Sequence, residues 1–149
     1  MSKHIYKSHN KSLLLYHLVC VIKYRRSILS EGVEKSLIEV CRKIEERFEI
    51  NFIEIGADEN HVHFMIQSVP MMSPKNIVQV VKSITAKELF RLHPEVKHYL
   101  WGGQFWSDGY YINTVGQYAN EGIIQKYIQG QGGNKRKYKS FHKGQLCLF

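Results

Sequence analysis

The chain has 149 residues, of which 21 are Lys or Arg and 13 are Asp or Glu, so its net charge is +8. A composition of 44% hydrophobic and 23% charged residues excludes intrinsic disorder for the chain as a whole, and the length suits one domain. Residues 1–26 hold six basic side chains and residues 134–149 hold five, and neither segment contains an acidic one. These basic ends favour a polyanionic partner, with nucleic acid ahead of an anionic membrane surface.

Neither a membrane span nor a disulfide is expected. The longest apolar run, residues 13–22, has half of the ~20 residues that a helix needs to cross a bilayer. The N-terminus has no apolar signal segment, and Cys20, Cys41 and Cys147 lie far apart with no CxxC pair. We therefore expect a protein of the reducing cytoplasm with no membrane partner. Cys20 and Cys41 are expected to be buried, unreactive thiols.

The first half of the chain predicts a strand, a helix and a β-hairpin. Residues 13–24 form a nearly continuous apolar and β-branched run, typical of a central strand. Ser30 is a suitable N-cap for a helix whose apolar residues recur at three- and four-residue spacing up to Phe48. Residues 50–56 and 61–67 are predicted to form two strands joined by a turn.

A second helix is predicted to start at Ser73, an N-cap followed by Pro74 at the first helical position, and to end before His93. The aromatic segment that follows, residues 99–116, predicts strand structure. Its Asp108-Gly109 pair fits either a tight hairpin turn or a bulge within one strand, and both alternatives stay open.

A last helix is predicted near residues 120–132, capped by Asn120 and ended by glycines. The order strand, helix, strand, strand, helix, strand is the ferredoxin-like, RRM-like split βαβ arrangement, so we expect an α+β fold with an extra C-terminal helix. Both main helices should cover one face of an antiparallel sheet and leave the other open. We assign residues 1–133 to one domain and residues 134–149 to a basic, poorly ordered tail.

Two histidines in the third predicted strand are candidate metal ligands. His61 and His63 are separated by one residue, so their side chains point to the same face of the sheet. Two neighbouring imidazoles make half of a site for a divalent transition metal. The chain has eight histidines, so such a pair also arises by chance and a purely structural role stays open.

The last predicted helix adds two further candidates, Tyr127 and Gln131, which lie four residues apart and therefore face the same way. A tyrosine phenol is a poor nucleophile unless it is positioned against an activated electrophile, such as a phosphate polarised by a metal. The side-chain oxygen of Gln131 is a candidate third metal ligand. The alternative that Tyr127 is only an amphipathic-helix residue stays open.

Four blocks of the sequence bear on function together. They are NHVHFMIQSVP at 60–70, SPKNIVQVVKSITAKELF at 73–90, FWSDGYYINTVG at 105–116 and YIQGQ at 127–131. In this order and at this spacing the chain resembles the single-tyrosine HUH transposases of the insertion-sequence 200/605 family. The resemblance covers about residues 10–132 and includes KYRR at 23–26.

The resemblance implies a prokaryotic homodimer that cleaves and rejoins single-stranded DNA at hairpin-marked element ends. His61 and His63 would be the HUH pair, with Gln131 the third ligand of a Mg²⁺ or Mn²⁺ ion. Tyr127 would be the nucleophile that forms a 5′-phosphotyrosine link. Because this link stores the bond energy, rejoining needs no nucleotide cofactor, in agreement with the lack of a GxxxxGK[ST] motif.

Other residues are candidates for DNA contact. Lys23, Arg25 and Arg26, at the end of the first predicted strand, are suitable partners for phosphates. A group of aromatic residues in the segment that follows the second predicted helix suits base stacking, the core or a dimer interface, of which we expect the interface. This aromatic group comprises Trp101, Phe105, Trp106, Tyr110 and Tyr111.

Two alternatives to a mobile element's transposase remain. One is a non-catalytic RNA-binding module on the same fold, although the aromatic and glycine signature of such modules is missing from residues 61–67. The other is a domesticated HUH protein that acts on repeated chromosomal hairpins. Nothing in the sequence separates this second alternative from the transposase.

Overall fold

The computed structural model describes residues 3–116 and 139–142. These residues form two α-helices, α1 (Glu31–Arg47) and α2 (Pro74–Leu92). The strands are β1 (Ile5–Lys7), β2 (Asn10–Ser12), β3 (Leu14–Val21), β4 (Ile50–Ala57), β5 (His61–Ser68), β6 (Tyr111–Val115) and β7 (Lys139–His142). Short 3₁₀ turns cover Lys23–Arg25 and Pro94–His98. The predicted helix near residues 120–132 lies outside the described residues.

The main sheet is antiparallel and has the strand order β6-β3-β5-β4-β7. Helix α1 connects β3 to β4, and α2 connects β5 to β6. The four strands that alternate with the helices therefore lie in the spatial order fourth, first, third, second. This confirms the predicted ferredoxin-like α+β fold.

Both helices start where the capping signals predict. The Ser30 Oγ accepts a hydrogen bond from the Val33 amide at 3.3 Å, and the Ser73 Oγ accepts one from the Asn76 amide at 3.1 Å. The apolar sides of both helices pack on one face of the sheet. Fully buried residues of this core include Leu18, Leu37, Ile44, Ile55, Phe64, Ile77 and Val81.

The first long strand ends at Val21 and not at Tyr24 as predicted. Two consecutive residues, Tyr24 (φ 61°) and Arg25 (φ 52°), adopt left-handed backbone conformations that no strand can contain. These residues belong to the 3₁₀ turn Lys23–Arg25, in which the Arg25 amide donates a hydrogen bond to the Ile22 carbonyl at 2.9 Å. The apolar and basic pattern alone gave no sign of this turn.

Within the described residues, the aromatic segment does not form the tight hairpin that was one alternative at Asp108-Gly109, and its strand structure is limited to Tyr111–Val115. Trp106 bridges to Ile22, and Tyr111 pairs with Val19 on the same edge of β3. Between these two pairs the chain advances five residues while its partner advances three, so residues 107–110 form a loop that precedes β6. Lys82 Nζ stabilises this loop by donating to the carbonyl oxygens of residues 107, 108 and 109 at 2.6, 3.2 and 3.3 Å.

Two strand pairings were not predicted. Strands β1 and β2 form a small separate hairpin, and β7 pairs with β4 through Glu54↔His142 and Ala57↔Lys139. The expectation that residues 134–149 are a poorly ordered tail is therefore wrong for Lys139–His142. Such short, polar strands lack apolar alternation, and β7 in addition pairs with a strand that is distant in sequence. The proposed domain boundary after residue 133 stays a prediction.

Cys20 and Cys41 are buried, as predicted. Burial raises the pKa of Cys20 to about 12 and raises the pKa of Cys41 further still, so both thiols stay protonated. Among the described helices, none is sufficiently long and apolar to span a membrane.

Candidate metal centre and DNA interface

His61 and His63 lie on the sheet face opposite the helices. Val62 and Phe64, which alternate with them along β5, point into the helix-packed core. The two imidazole centroids are 5.0 Å apart and the rings are inclined by 74°. Strand periodicity thus brings these rings together as predicted, and their role as metal ligands stays a prediction.

Each of the two rings has a neighbour at Nδ1. The Nδ1 atom of His61 donates to the Asn60 Oδ1 at 2.8 Å. The Nδ1 atom of His63 lies 3.1 Å from Nε2 of His17, a residue of β3. A ring that donates from Nδ1 leaves Nε2 unprotonated and able to bind a metal, and the acceptor oxygen of Asn60 places His61 in this form.

His17 is a neighbour of the pair that the sequence pattern did not predict. Its ring is stacked on that of His63, with centroids 5.3 Å apart and an interplanar angle of 14°. Both side chains are buried, with 3% exposure for His17 and 1% for His63. His17 is brought there by the pairing of Val19 with His63, a register that cannot be read from either strand alone.

The three imidazoles are held in their neutral form. Burial, together with the neighbouring His61 and His17, lowers the pKa of His63 to about 3. Burial also lowers the pKa of His17 and of His61, where the Asp58 carboxylate acts in the opposite sense. Neutral imidazole is the form that binds metals, so the donor chemistry fits a divalent ion.

The helix-free face is less open than expected. Glu54, His63, Met65 and Gln67 all point to this face and are buried. Part of the cover is the N-terminal segment, since the Gln67 Nε2 donates to the Lys3 carbonyl at 2.6 Å. The centre of the face is therefore a shielded environment and not an exposed sheet surface.

The described residues supply two candidate metal ligands. Within residues 3–116, no group of three His, Cys, Asp or Glu side chains is placed to hold one ion. His17 contacts the pair through the 3.1 Å approach of its Nε2 to Nδ1 of His63. Tyr127 and Gln131 lie outside the described residues, so their relation to His61 and His63 stays a prediction.

The candidate phosphate contacts lie at the same end of the sheet as His61. Val21 pairs with His61, and the Ile22 amide donates to the Asn60 carbonyl at 2.8 Å. The chain then enters residues 23–26, which we call the basic turn. Arg25 and Arg26 are exposed and Lys23 is half-buried.

Two exposed aromatic rings lie at the basic turn, Tyr24 within it and Trp101 beside it. The Tyr24 and Trp101 centroids are 6.0 Å apart, and the Tyr24 hydroxyl donates to the Trp101 carbonyl at 3.4 Å. Trp101 is 71% exposed. Lys23 Nζ lies 5.6 Å from the centroid of the Tyr24 ring. Exposed aromatic faces next to cations are suited to unpaired bases.

The remaining aromatic residues divide between core and surface. Phe105 and Trp106 are buried in the core, so our expectation that they lie in an interface is wrong. The Trp106 Nε1 donates to the Thr85 Oγ1 at 2.9 Å, which satisfies the buried indole. Tyr110 and Tyr111 are exposed, and the Tyr111 ring lies 6.2 Å from that of His17.

Comparison with known proteins yields a consistent group of relatives. The family model for IS200-like transposases matches residues 10–131. The ISDra2 transposase TnpA of Deinococcus radiodurans is 32% identical over 118 residues, which cover 79% of this chain and 84% of that protein. The transposase of insertion sequence IS200 from Salmonella typhimurium is 27% identical over 124 residues, covering 83% of this chain and 80% of that protein.

Solved structures agree with this grouping. The crystal structure of a transposase from D. radiodurans matches with a TM-score of 0.68 at 27% identity, covering 88% of this chain and 98% of that chain. A REP-associated tyrosine transposase bound to a REP hairpin matches with a TM-score of 0.53 at 12% identity. The match covers 86% of this chain and 68% of that chain. At this identity it shows likeness of fold alone. Because the family model spans most of the sequence, including both histidines of the candidate centre, the chain belongs to the family of IS200-like transposases.

Proposed function

We propose that this transposase cleaves and rejoins single-stranded DNA at hairpin-marked element ends, with Tyr127 as nucleophile and with His61, His63 and Gln131 as ligands of a divalent metal. The observation that carries the proposal is the pair of neutral imidazoles side by side on the helix-free face. The match to the IS200-like family extends over all four of these positions.

The chemistry assigned to Tyr127 balances without an external energy source. Its phenolic oxygen attacks the phosphorus of a DNA phosphodiester, the bond from phosphorus to the 3′ oxygen breaks, and the 3′ oxygen leaves as a hydroxyl with a proton. The 5′ phosphate is then bound to the tyrosine. A different 3′-hydroxyl later attacks this phosphotyrosine and releases the phenol, so the number of phosphoester bonds is conserved and no nucleotide cofactor is required.

His61 and His63 would hold Mg²⁺ or Mn²⁺ through their Nε2 atoms. The bound ion would supply Lewis-acid activation of the phosphate and neutralise charge that develops on its oxygens. The burial of His63 excludes water from one side of the pair and keeps the ring neutral. Asn60, through its contact with His61 Nδ1, would fix the orientation of the first ligand.

DNA binding is assigned to the basic turn. Arg25 and Arg26 are exposed at the end of the sheet where His61 lies, so a strand bound there would lead toward the histidine pair. A relative of the same fold is known in complex with a REP hairpin. We extend hairpin recognition and a homodimeric assembly to this chain as parts of the same proposal, and light scattering of the purified protein tests the assembly.

The direct test is covalent capture of DNA. The full chain is incubated with Mg²⁺ or Mn²⁺ and with single-stranded DNA from the ends that flank its gene, labelled at either the 5′ or the 3′ terminus. A protein–DNA adduct that carries only the 3′ label is expected on a denaturing gel, because the tyrosine retains the 5′ phosphate of the downstream fragment. Tyr127→Phe should form none.

The histidine pair is tested in the same assay. His61→Ala combined with His63→Ala should abolish the adduct and leave hairpin binding largely intact, because the basic turn lies beyond the pair. His98→Ala removes an exposed histidine from the 3₁₀ turn Pro94–His98 and serves as the matched control. An adduct that survives Tyr127→Phe, or equal loss of hairpin binding in the double variant, would contradict the proposal.

A further inference from the structure

The contact between His17 and His63 has a directional requirement. We propose that His17 is a positioning residue, whose Nε2 accepts a hydrogen bond from Nδ1–H of His63 and thereby selects the His63 tautomer that binds metal through Nε2. This inference rests on the proposed role of His63 as a metal ligand. His17 itself would touch neither the ion nor the DNA.

The geometry of the contact is well suited to such a role. The two nitrogens are 3.1 Å apart, the rings are nearly parallel at 14°, and both side chains are buried. The two residues lie on adjacent central strands, held by the pairs Val19↔His63 and His17↔Met65. A ring fixed by the backbone pairing of two inner strands has little freedom to turn away.

Only one direction of this hydrogen bond is compatible with metal binding. A neutral imidazole carries one proton, on either Nδ1 or Nε2. If His17 donated from Nε2, then His63 would accept at Nδ1 and carry its own proton on Nε2, which removes the lone pair that a metal needs. If His63 donates, its Nε2 is the ligating atom and His17 carries its proton on Nδ1.

The neighbouring histidine has the same arrangement. His61 donates from Nδ1 to the Asn60 Oδ1 at 2.8 Å, so its Nε2 is also the ligating atom. Asn60 and His17 would thus perform equivalent tasks for the two ligands, one from the turn before β5 and the other from β3. A hydrogen-bond acceptor at the far nitrogen of a histidine ligand orients the ring and raises its basicity.

The tautomer can be measured directly. Two-bond ¹H–¹⁵N correlation spectra of the metal-free, ¹⁵N-labelled full chain near pH 7.5 distinguish the two neutral forms, and the His17→Gln and His98→Ala variants assist assignment. We expect His63 in the Nδ1–H form, with His17 unprotonated at Nε2. A wild-type spectrum with His63 in the Nε2–H form would overturn the proposal, whether or not any variant folds.

Metal affinity supplies a second test, by Mn²⁺ electron paramagnetic resonance without DNA. His17→Leu has comparable bulk but no acceptor, and we expect it to weaken Mn²⁺ binding by about 10- to 100-fold. His17→Gln keeps an acceptor oxygen and should bind almost as well as the wild type. Equal affinity of the wild type and a folded His17→Leu variant would refute the positioning role.

These outcomes separate the inference from the proposed function. If the wild type binds Mn²⁺ and shows the expected tautomer but forms no adduct with DNA, the nucleophile assignment fails and the role of His17 stands. If the wild type forms the adduct while His17→Leu keeps both wild-type Mn²⁺ affinity and the Nδ1–H form of His63, the role of His17 fails and the proposed function stands.

Discussion

Val21 of β3 pairs with His61 of β5, and this pair places the basic turn immediately beyond the candidate metal centre. A nucleic acid strand held at residues 23–26 would therefore need to extend only a short way along the sheet to reach the histidines. The left-handed backbone at Tyr24 and Arg25 supports a functional role for the turn, because strained conformations concentrate at binding and active sites.

The first prediction concerns this turn. Arg25→Ala with Arg26→Ala should weaken binding of single-stranded and hairpin DNA. It should also reduce the slope of log K against log salt by about 0.7 to 0.9 for each phosphate that the variant no longer neutralises. The cleavage rate at saturating DNA should change little, because the histidines are untouched. A salt titration by fluorescence anisotropy measures the slope.

A charge-matched control is available for this experiment. Lys43 on α1 and Lys87 on α2 are exposed residues of the helices, which pack on the opposite face of the sheet. Lys43→Ala with Lys87→Ala removes the same charge and should leave most of the affinity and the salt slope in place. Equal weakening by both double variants would show that net charge, and not the basic turn, governs binding.

The second prediction concerns metal and stability. Mn²⁺ at about 100 times its dissociation constant should stabilise the folded protein by about 2.7 kcal/mol, because the unfolded chain does not assemble the ligands. The thermal midpoint should rise on addition of Mn²⁺ and return with EDTA. His61→Ala with His63→Ala should abolish this response, whereas His98→Ala should retain it. A full response in the double variant would place the ion elsewhere.

The third prediction concerns the hydrogen bond between Trp106 and Thr85, which holds the aromatic segment against α2. Thr85 Oγ1 accepts from the Trp106 indole and donates to the Val81 carbonyl at 2.6 Å. Thr85→Val keeps the shape of the side chain but leaves the buried indole N–H of Trp106 without its acceptor. This should lower the free energy of unfolding by about 1–3 kcal/mol. Urea unfolding measures the loss, and the exposed Ser83→Ala should change stability by less than about 0.5 kcal/mol.

The fourth prediction concerns the C-terminal segment. Truncation after residue 133 removes both the basic charges and β7, so it should lower DNA affinity and also expose the edge of β4. A full-length variant with Gln at positions 135, 136, 137 and 143 removes charge and keeps Lys139–His142. We expect this variant to lose DNA affinity as the truncated chain does. It should keep wild-type stability and should not aggregate, because the edge of β4 stays covered. Wild-type affinity in the truncated chain would exclude the tail from DNA binding.

Local features of the fold were predictable because they depend on neighbours in sequence. Ser30 and Ser73 cap helices through amides three residues ahead, and His61 and His63 share a face because strand residues alternate. The two-helix, four-strand order followed from hydrophobic periodicity and led to the correct fold. The transposase family followed from four short blocks, whose match the family model supports.

Other features depend on which strands pair and in which register, and no local pattern encodes that choice. His17 is an isolated polar residue within an apolar strand until the pair Val19↔His63 brings it to 3.1 Å from His63. β7 has too few apolar residues to be predicted as a strand, and it is a strand because it pairs with the edge of β4. The sequence by itself determined the two candidate ligands and their shared face. The tertiary structure decided the partner of His63, because a hydrogen bond between residues 46 positions apart forms only after the sheet has assembled.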